Sequence, residues 1–199
     1  MEQQQLGDFA PTLNPELSQY HTPMKLARRM VEWAGDLRGK FVIEPSAGGG
    51  NIVRELMRQG AFHVCAVECD PAWAKFLETE FGDERVVVGW ADFLEVEPRP
   101  YHLAVMNPPL DDGVAAIHVR RALEWAPRVI SIMRGQDLHC QRRWRELWSD
   151  CDLARLALMV NRPKYSGAGG QIETIVVDVY HKGTYSGPQV IEHWPDDWR

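Results

Sequence analysis

The apolar positions of this chain alternate between two rhythms. From Pro23 onward Met24, Leu26, Ala27, Met30, Val31 and Ala34 recur at helical spacing, and Gly35 closes the run. Thr22 stands where an N-cap is expected and Pro23 at the first helical position. The next apolar run, KFVIEP, is short and continuous and gives way to the glycines Gly48, Gly49 and Gly50, after which NIVRELMRQG is amphipathic as far as Gly60. This predicts strand, tight turn, helix. The same succession repeats, with FHVCAVE as a strand, DPAWAKFLETEFG as a helix, and RVVVGW and YHLAVMNPP as strands, the last stopped by two prolines. DDGVAAIHVRRALEWA then reads as a helix, RVISIM as a strand, HCQRRWRELWSD as a helix, and DLARLALMV and ETIVVDVY as two further strands. Strands alternating with helices of about a dozen residues imply right-handed crossovers and an α/β fold, a mostly parallel sheet with helices on both faces.

The periodicity also sets the expected boundaries. Residues 1–19 are polar and aperiodic and read as an N-terminal arm, 20–182 as the folded domain, and 183–199 as a C-terminal extension whose Trp194 and Trp198 dock on the body. With 199 residues, 45% of them hydrophobic, the chain can bury one core. It has no apolar stretch of membrane-spanning length and its start lacks the pattern of a secretory leader, so a cytoplasmic protein without membrane attachment is expected. The formal net charge of −6 argues against a wholly basic nucleic-acid-binding surface, so any such contact is local or shared with a protein partner. Cys65, Cys69, Cys140 and Cys151 form no CxxC pair and read as reduced thiols, and no metal site is expected. His63 and His102 read as paired strand histidines, and Trp33, Trp73, Trp125 and Trp148 as packing residues.

Candidate chemistry gathers at strand ends, where open parallel sheets hold ligands. Glu44-Pro-Ser-Ala-Gly-Gly-Gly-Asn51 follows the first strand, yet it is neither the dinucleotide fingerprint, since Val53 occupies the third glycine position, nor a P-loop. Glu68 ends the second strand, where a carboxylate can accept hydrogen bonds from both ribose hydroxyls; Asp70, before Pro71, reads as a helix N-terminal charge. Asp92 could accept from the amino group of an adenine while Phe93 covers the ring, or could be an ordinary loop acid. Asn107-Pro108-Pro109-Leu110 ends the fourth strand. Its prolines fix the backbone and aim the Asn107 amide oxygen and the Pro108 carbonyl outward, two acceptors suited to a planar amine, although the same string could be only a strand-ending turn.

Taken together these motifs resemble class I S-adenosylmethionine-dependent methyltransferases, and among them the adenine-N6 DNA methyltransferases of the compact kind found in phages and mobile elements. Tyr20-His21-Thr22-Pro23 resembles the motif before the first helix, VIEPSAGGGNIV the methionine-binding motif, AVECDP the ribose-binding motif, ADFL the adenine-binding motif, and MNPP the catalytic motif, in an order that spans Tyr20 to Met133. The His118-Val119 pair with Ala122, and RPKYSG before a strand, extend the match. The resemblance implies a Rossmann-like sheet of seven strands with the last antiparallel, and S-adenosylmethionine as cofactor. It implies that Glu44, Ser46, Ala47, Gly48 and Gly50 line the methionine part with Thr22 and Pro23 closing that side, that Glu68 binds the ribose, and that Cys69, Asp70, Asp92 and Phe93 surround the adenine. Asn107, Pro108, Pro109 and Leu110 would form the catalytic motif, with adenine N6 in DNA as target; a duplex base must be flipped out to reach it.

Two features depart from that pattern. Leu110 stands where an aromatic usually stacks on the target base, which leaves three options, a substitute such as Tyr165 or Trp90, a different substrate, or a weak or inactive enzyme, and Asp111 and Asp112 put acids beside the pocket. No separate recognition domain is expected within these 199 residues. Arg120, Arg121, Arg142, Arg143 and Arg145, with Lys25, Arg28 and Arg29, read either as a phosphate-steering patch that includes Trp144, or as solvated helix faces paired to Glu32, Glu124 and Glu146. The alternatives in function are methylation of another planar amine or amide, in RNA or a protein glutamine, and a non-catalytic methyltransferase-like subunit.

Overall fold

The computed structural model describes residues 11–12, 21–139, 141–163, 173–196 and 198. Eight strands form one sheet: β1 (Phe41–Glu44), β2 (His63–Glu68), β3 (Val86–Trp90), β4 (Leu103–Met106), β5 (Arg128–Arg134), β6 (Cys151–Met159), β7 (Thr174–His181) and β8 (Val190–Trp194), in the order β3-β2-β1-β4-β5-β7-β6-β8. The first five are parallel, and β7 runs antiparallel to both β5 and β6. The helices are α1 (Met24–Ala34), α2 (Asn51–Arg58), α3 (Pro71–Glu80), α4 (Val114–Leu123) and α5 (Gln141–Arg143), which runs into a π-helical turn, Trp144–Trp148.

Burial explains why the central strands read as unbroken apolar runs. Every residue of β4 and the last three of β1 are buried, as strands covered on both faces must be. The anchor between α1 and the sheet is electrostatic as well as apolar. Arg128 grips Asp178 with Nε and Nη2 at 2.9 and 2.8 Å and donates to the Trp33 and Ala34 carbonyls, which the end of α1 leaves without helical partners.

Several expectations change. The sheet has eight strands where seven were expected, and the antiparallel strand is β7, not the last in sequence. The segment read as an extended surface run forms β8, parallel to β6 from Arg155↔Val190 to Met159↔Trp194, and buries Trp194 and Trp198 against the body. Helix α1 starts one residue later than expected. Pro23, at φ −56° and ψ 139°, occupies the N-cap position without side-chain capping, because the Thr22 carbonyl is turned toward Asn51, whose Nδ2 donates to it at 2.8 Å. The stretch read as one helix over 139–150 is broken into α5 and the π-helical turn. Asp70 caps α3, accepting from the Ala72 and Trp73 amides. Among the described residues no helix is long and apolar enough to cross a membrane.

Candidate cofactor and substrate cleft

Parallel register brings the carboxyl ends of β1 to β4 to one side of the sheet, and a cleft of about 720 Å³, part of it open to solvent, lies there. That is within the range of about 300–1,000 Å³ usual for small-molecule sites. The turn after β1 forms its floor. The Gly48 amide donates to Glu68 Oε2 at 2.7 Å, the Gly49 amide to His21 Nδ1 at 2.8 Å, and the Ala47 amide to the Val67 carbonyl at 2.9 Å. Gly50 must be glycine. Its φ is +78°, and a Cβ there would lie 2.5 Å from the Phe81 ring.

Glu68 is 6% exposed and uses both carboxylate oxygens locally, Oε2 for the Gly48 amide and Oε1 for the Asp70 amide at 2.9 Å. Oε2 keeps a second lone-pair direction for a ligand hydroxyl, whereas Oε1 also takes the Cys69 thiol at 3.6 Å. Burial raises its pKa, opposed by the two amide donors. Glu44 is buried and donates nothing to the cleft wall. Its Oε1 accepts from the Ser46 amide at 3.0 Å, and its Oε2 has no hydrogen-bond partner among the described residues. Burial holds its carboxyl well above the ordinary glutamate range, aided by the Glu68 charge. His21 is buried, with its pKa lowered to about 4 by desolvation, so it remains a neutral ring that accepts from Gly49 and rests 4.4 Å from the Trp73 ring.

At the other end Asp92 is exposed and accepts the Leu94 amide through Oδ1 at 2.9 Å, while Phe93 is 2% exposed and contacts the Trp125 and His118 rings. The Cys69 thiol is pushed up to about 11 by burial and the neighbouring Glu68 charge, and donates to Glu68 Oε1. Asn107 is buried at the end of β4, and Asn107 and Pro109 line the cleft together with Glu68, Asp92 and Phe93.

The predicted site residues therefore divide. Thr22, Ser46, Ala47, Gly48, Glu68, Cys69, Asp92, Phe93, Asn107 and Pro109 line one cleft. Pro23, Glu44, Gly50, Asp70 and Pro108 adjoin these residues in the chain but are not among those that line the cleft. Leu110 differs most from its expected position. It is 2% exposed and belongs to the hydrophobic core, because the loop after it is drawn inward: Arg134 donates to the Leu110 carbonyl at 3.4 Å and Arg143 grips Asp112 at 2.7 Å. Arg143, itself 3% exposed, also pairs with the buried Asp137 and with Glu146. One of the two acids beside the pocket is thus neutralised from below. Trp90 is exposed, and its indole nitrogen donates to the Cys69 carbonyl at 3.1 Å, so it stands beside the Glu68–Asp92 end. Tyr20, Lys164, Tyr165, Cys140 and the side chain of Trp144 lie outside the described residues.

The charged helix faces follow the paired reading. Arg29, Arg121 and Arg142 bind Glu32, Glu124 and Glu146, and Arg28 binds the buried Glu55. His102 Nδ1 accepts the Phe41 amide at 3.0 Å. Seven cleft residues carried no individual role in the sequence: His21, Pro45, Gly49, Asn51, Ile52, Ala91 and His118. The signals for two of them were present, since His21 immediately precedes Thr22-Pro23 and His118 falls within the helix that follows the NPP string.

No family model matches the chain. Over 91 residues it is 37% identical to ribosomal RNA small subunit methyltransferase A of Paracoccus denitrificans, a match covering 44% of this chain and 30% of that protein; the matched part thus spans about a third of that relative's length. A Pyrococcus horikoshii structure described as a candidate RNA methyltransferase superposes with TM-score 0.71 at 24% identity, covering 89% of this chain and 94% of that one. The 23S rRNA methyltransferase ErmE superposes with TM-score 0.62 at 22% identity, over 80% of this chain and 68% of that one. The chain has the class I S-adenosylmethionine-dependent methyltransferase fold, with β8 added at one edge of the sheet.

Proposed function

We propose that this protein is an S-adenosylmethionine-dependent N-methyltransferase acting on the exocyclic amine of an adenine in nucleic acid, with RNA as the first substrate to test. The observation that carries this reading is the convergence of Glu68, Asp92 and Asn107 on one cleft at the carboxyl ends of parallel strands. The residues present fit the cofactor. Glu68 Oε2 retains acceptor capacity for a ribose hydroxyl, Oε1 can exchange its long Cys69 thiol contact for a second, and Glu44 Oε2 is a buried oxygen still without a partner among the described residues. When bound, S-adenosylmethionine supplies an electrophilic methyl group on a positively charged sulfur.

The chain's own residues do the rest. The Asn107 amide oxygen and the Pro108 carbonyl accept the two hydrogens of the target amine, which holds it in place and leaves electron density on nitrogen for attack. The rigid proline backbone keeps these acceptors aimed before the substrate arrives. RNA is favoured over DNA by the names of the similar proteins, which are ribosomal RNA methyltransferases, whereas the NPP string favours adenine in DNA. Arg28, Arg29, Arg121, Arg142 and Arg143 are already paired with carboxylates, so nucleic-acid affinity is expected from a short stretch around the cleft or from a partner protein.

Tritium transfer from labelled S-adenosylmethionine into ribosomal RNA, duplex DNA, single-stranded DNA and total protein separates these readings, with Asn107→Ala as control. The expected result is label in RNA, recovered as N6-methylated adenosine and lost in the variant. Label in duplex DNA alone moves the substrate to DNA. No label in any acceptor, with cofactor binding intact, replaces the enzyme with a non-catalytic subunit.

A further inference from the structure

His118 forms part of the cleft wall from α4, at the end made by Asp92 and Phe93. It is 7% exposed, and its ring centroid lies 6.1 Å from that of Phe93, tilted by 30°. Nδ1 lies 2.9 Å from the Val114 carbonyl, one helical turn back. A carbonyl only accepts, so Nδ1 carries the proton in that bond, and Nε2 is left with a lone pair. The bond to its own helix turns Nε2 away from the α4 backbone, and Nε2 has no hydrogen-bond partner among the described residues. Burial lowers the pKa of His118 against the opposing effects of the Val114 carbonyl and the Asp92 charge, which keeps the ring a neutral acceptor. The cleft therefore presents two acceptors at one end, Nε2 of His118 and Oδ2 of Asp92, whose Oδ1 is already held by the Leu94 amide.

We infer that His118 is a specificity residue for the cofactor's purine: Nε2 accepts one hydrogen of the 6-amino group while Asp92 accepts the other. This rests on the cofactor reading of the cleft. A planar amino group has two hydrogens to place, and a carboxylate alone satisfies only one of them in the ring plane. Phe93 supplies the apolar face under the ring, and its contact with the imidazole fixes the two polar elements relative to that face. The pair also rejects a 6-oxo purine, whose oxygen would face two lone pairs and have no donor to meet. The position of His118 against Phe93 and Asp92 puts it at the cofactor's base and not at the target amine held by Asn107.

The test compares binding of S-adenosylhomocysteine and its 6-oxo counterpart, S-inosylhomocysteine, by titration calorimetry. The wild-type protein is expected to bind the adenosyl compound at least about a hundredfold more tightly. In His118→Phe, which keeps a ring against Phe93, the adenosyl compound should weaken about tenfold and the inosyl compound about threefold or less, so the preference narrows. His118→Gln, which returns an acceptor, should recover part of it. Loss of packing would weaken both ligands alike, so an unchanged ratio in His118→Phe overturns the inference. Should that variant not fold, nitrogen-15 histidine spectra of the wild-type protein decide: the adenosyl compound must perturb an acceptor Nε2 resonance that the inosyl compound leaves in place, and equal response to both overturns the assignment. A wild-type protein that binds neither compound overturns the cofactor reading itself, a result distinct from an unchanged ratio.

Discussion

The two ends of the cleft are held by different physics. The floor near Glu68 is built from backbone amides given to fixed acceptors, Gly48 to Glu68, Gly49 to His21 and Ala47 to Val67, with a glycine conformation that no side chain can share. The loop after Asn107 is built from charge, with Arg143 buried beneath it and gripping Asp112, Asp137 and Glu146. Backbone hydrogen bonds of the first kind are insensitive to salt and intolerant of shape change. A buried ion network of the second kind tolerates shape but fails as a unit when one partner goes. On the proposed function, the end assigned to the cofactor is thus fixed sterically and the end assigned to the substrate electrostatically.

The strongest way to break this contrast is Arg143→Ala. It leaves Asp137, only 1% exposed, without its cation, and should cost about 3–5 kcal/mol in urea denaturation while S-adenosylhomocysteine binding by the folded fraction stays within about threefold. An equal loss of binding would show that the two ends are one unit. Gly50→Ala attacks the opposite end. A methyl group 2.5 Å from the Phe81 ring, on a left-handed backbone, should cost about 2–4 kcal/mol and most of the cofactor affinity.

Acid titration sharpens the contrast further. His21 has a pKa of about 4 when folded against 6.5 when exposed, so the unfolded chain takes up its proton first. Above pH 6.5 both states hold a neutral ring; as pH falls from 6.5 toward 4, stability is lost, by about 3 kcal/mol at most. Unfolding midpoints measured across that window should fall less steeply in His21→Gln, and parallel curves would remove His21 from the account. The smallest effect is expected from Leu110→Tyr. The side chain enters packed core, so about 1–3 kcal/mol of stability should be lost with no gain in methyl transfer. A rise in transfer would mean that position 110 turns out to face the substrate.

Leu110 also shows where sequence reasoning stops. The strings VIEP, AVECDP and MNPP end at strand termini because prolines, glycines and helix-capping acids end apolar runs, and that much is local chemistry readable residue by residue. The direction of Leu110 depends on Arg134 and Arg143, which reach it or its loop from 24 and 31 residues away along the chain. No periodicity encodes such a reach. Strand β8 was hidden for another reason. VIEHW is five residues long, lies among prolines and glycines, and becomes a strand only because β6 offers it an edge. His118 was visible as part of a helix, but its acceptor character follows from a bond to Val114 that spacing alone does not reveal.

β8 has a bearing on how the molecule behaves in a crowded solution. Without it the sheet would end on β6, a nine-residue strand whose unpaired edge could template pairing with another chain. β8 hides that edge behind one of five residues, set between Pro188 and Pro195, neither of which can donate to a ladder. The fold thus carries its own guard against edge-to-edge aggregation, and trimming the chain at its carboxyl terminus for expression would strip that guard away.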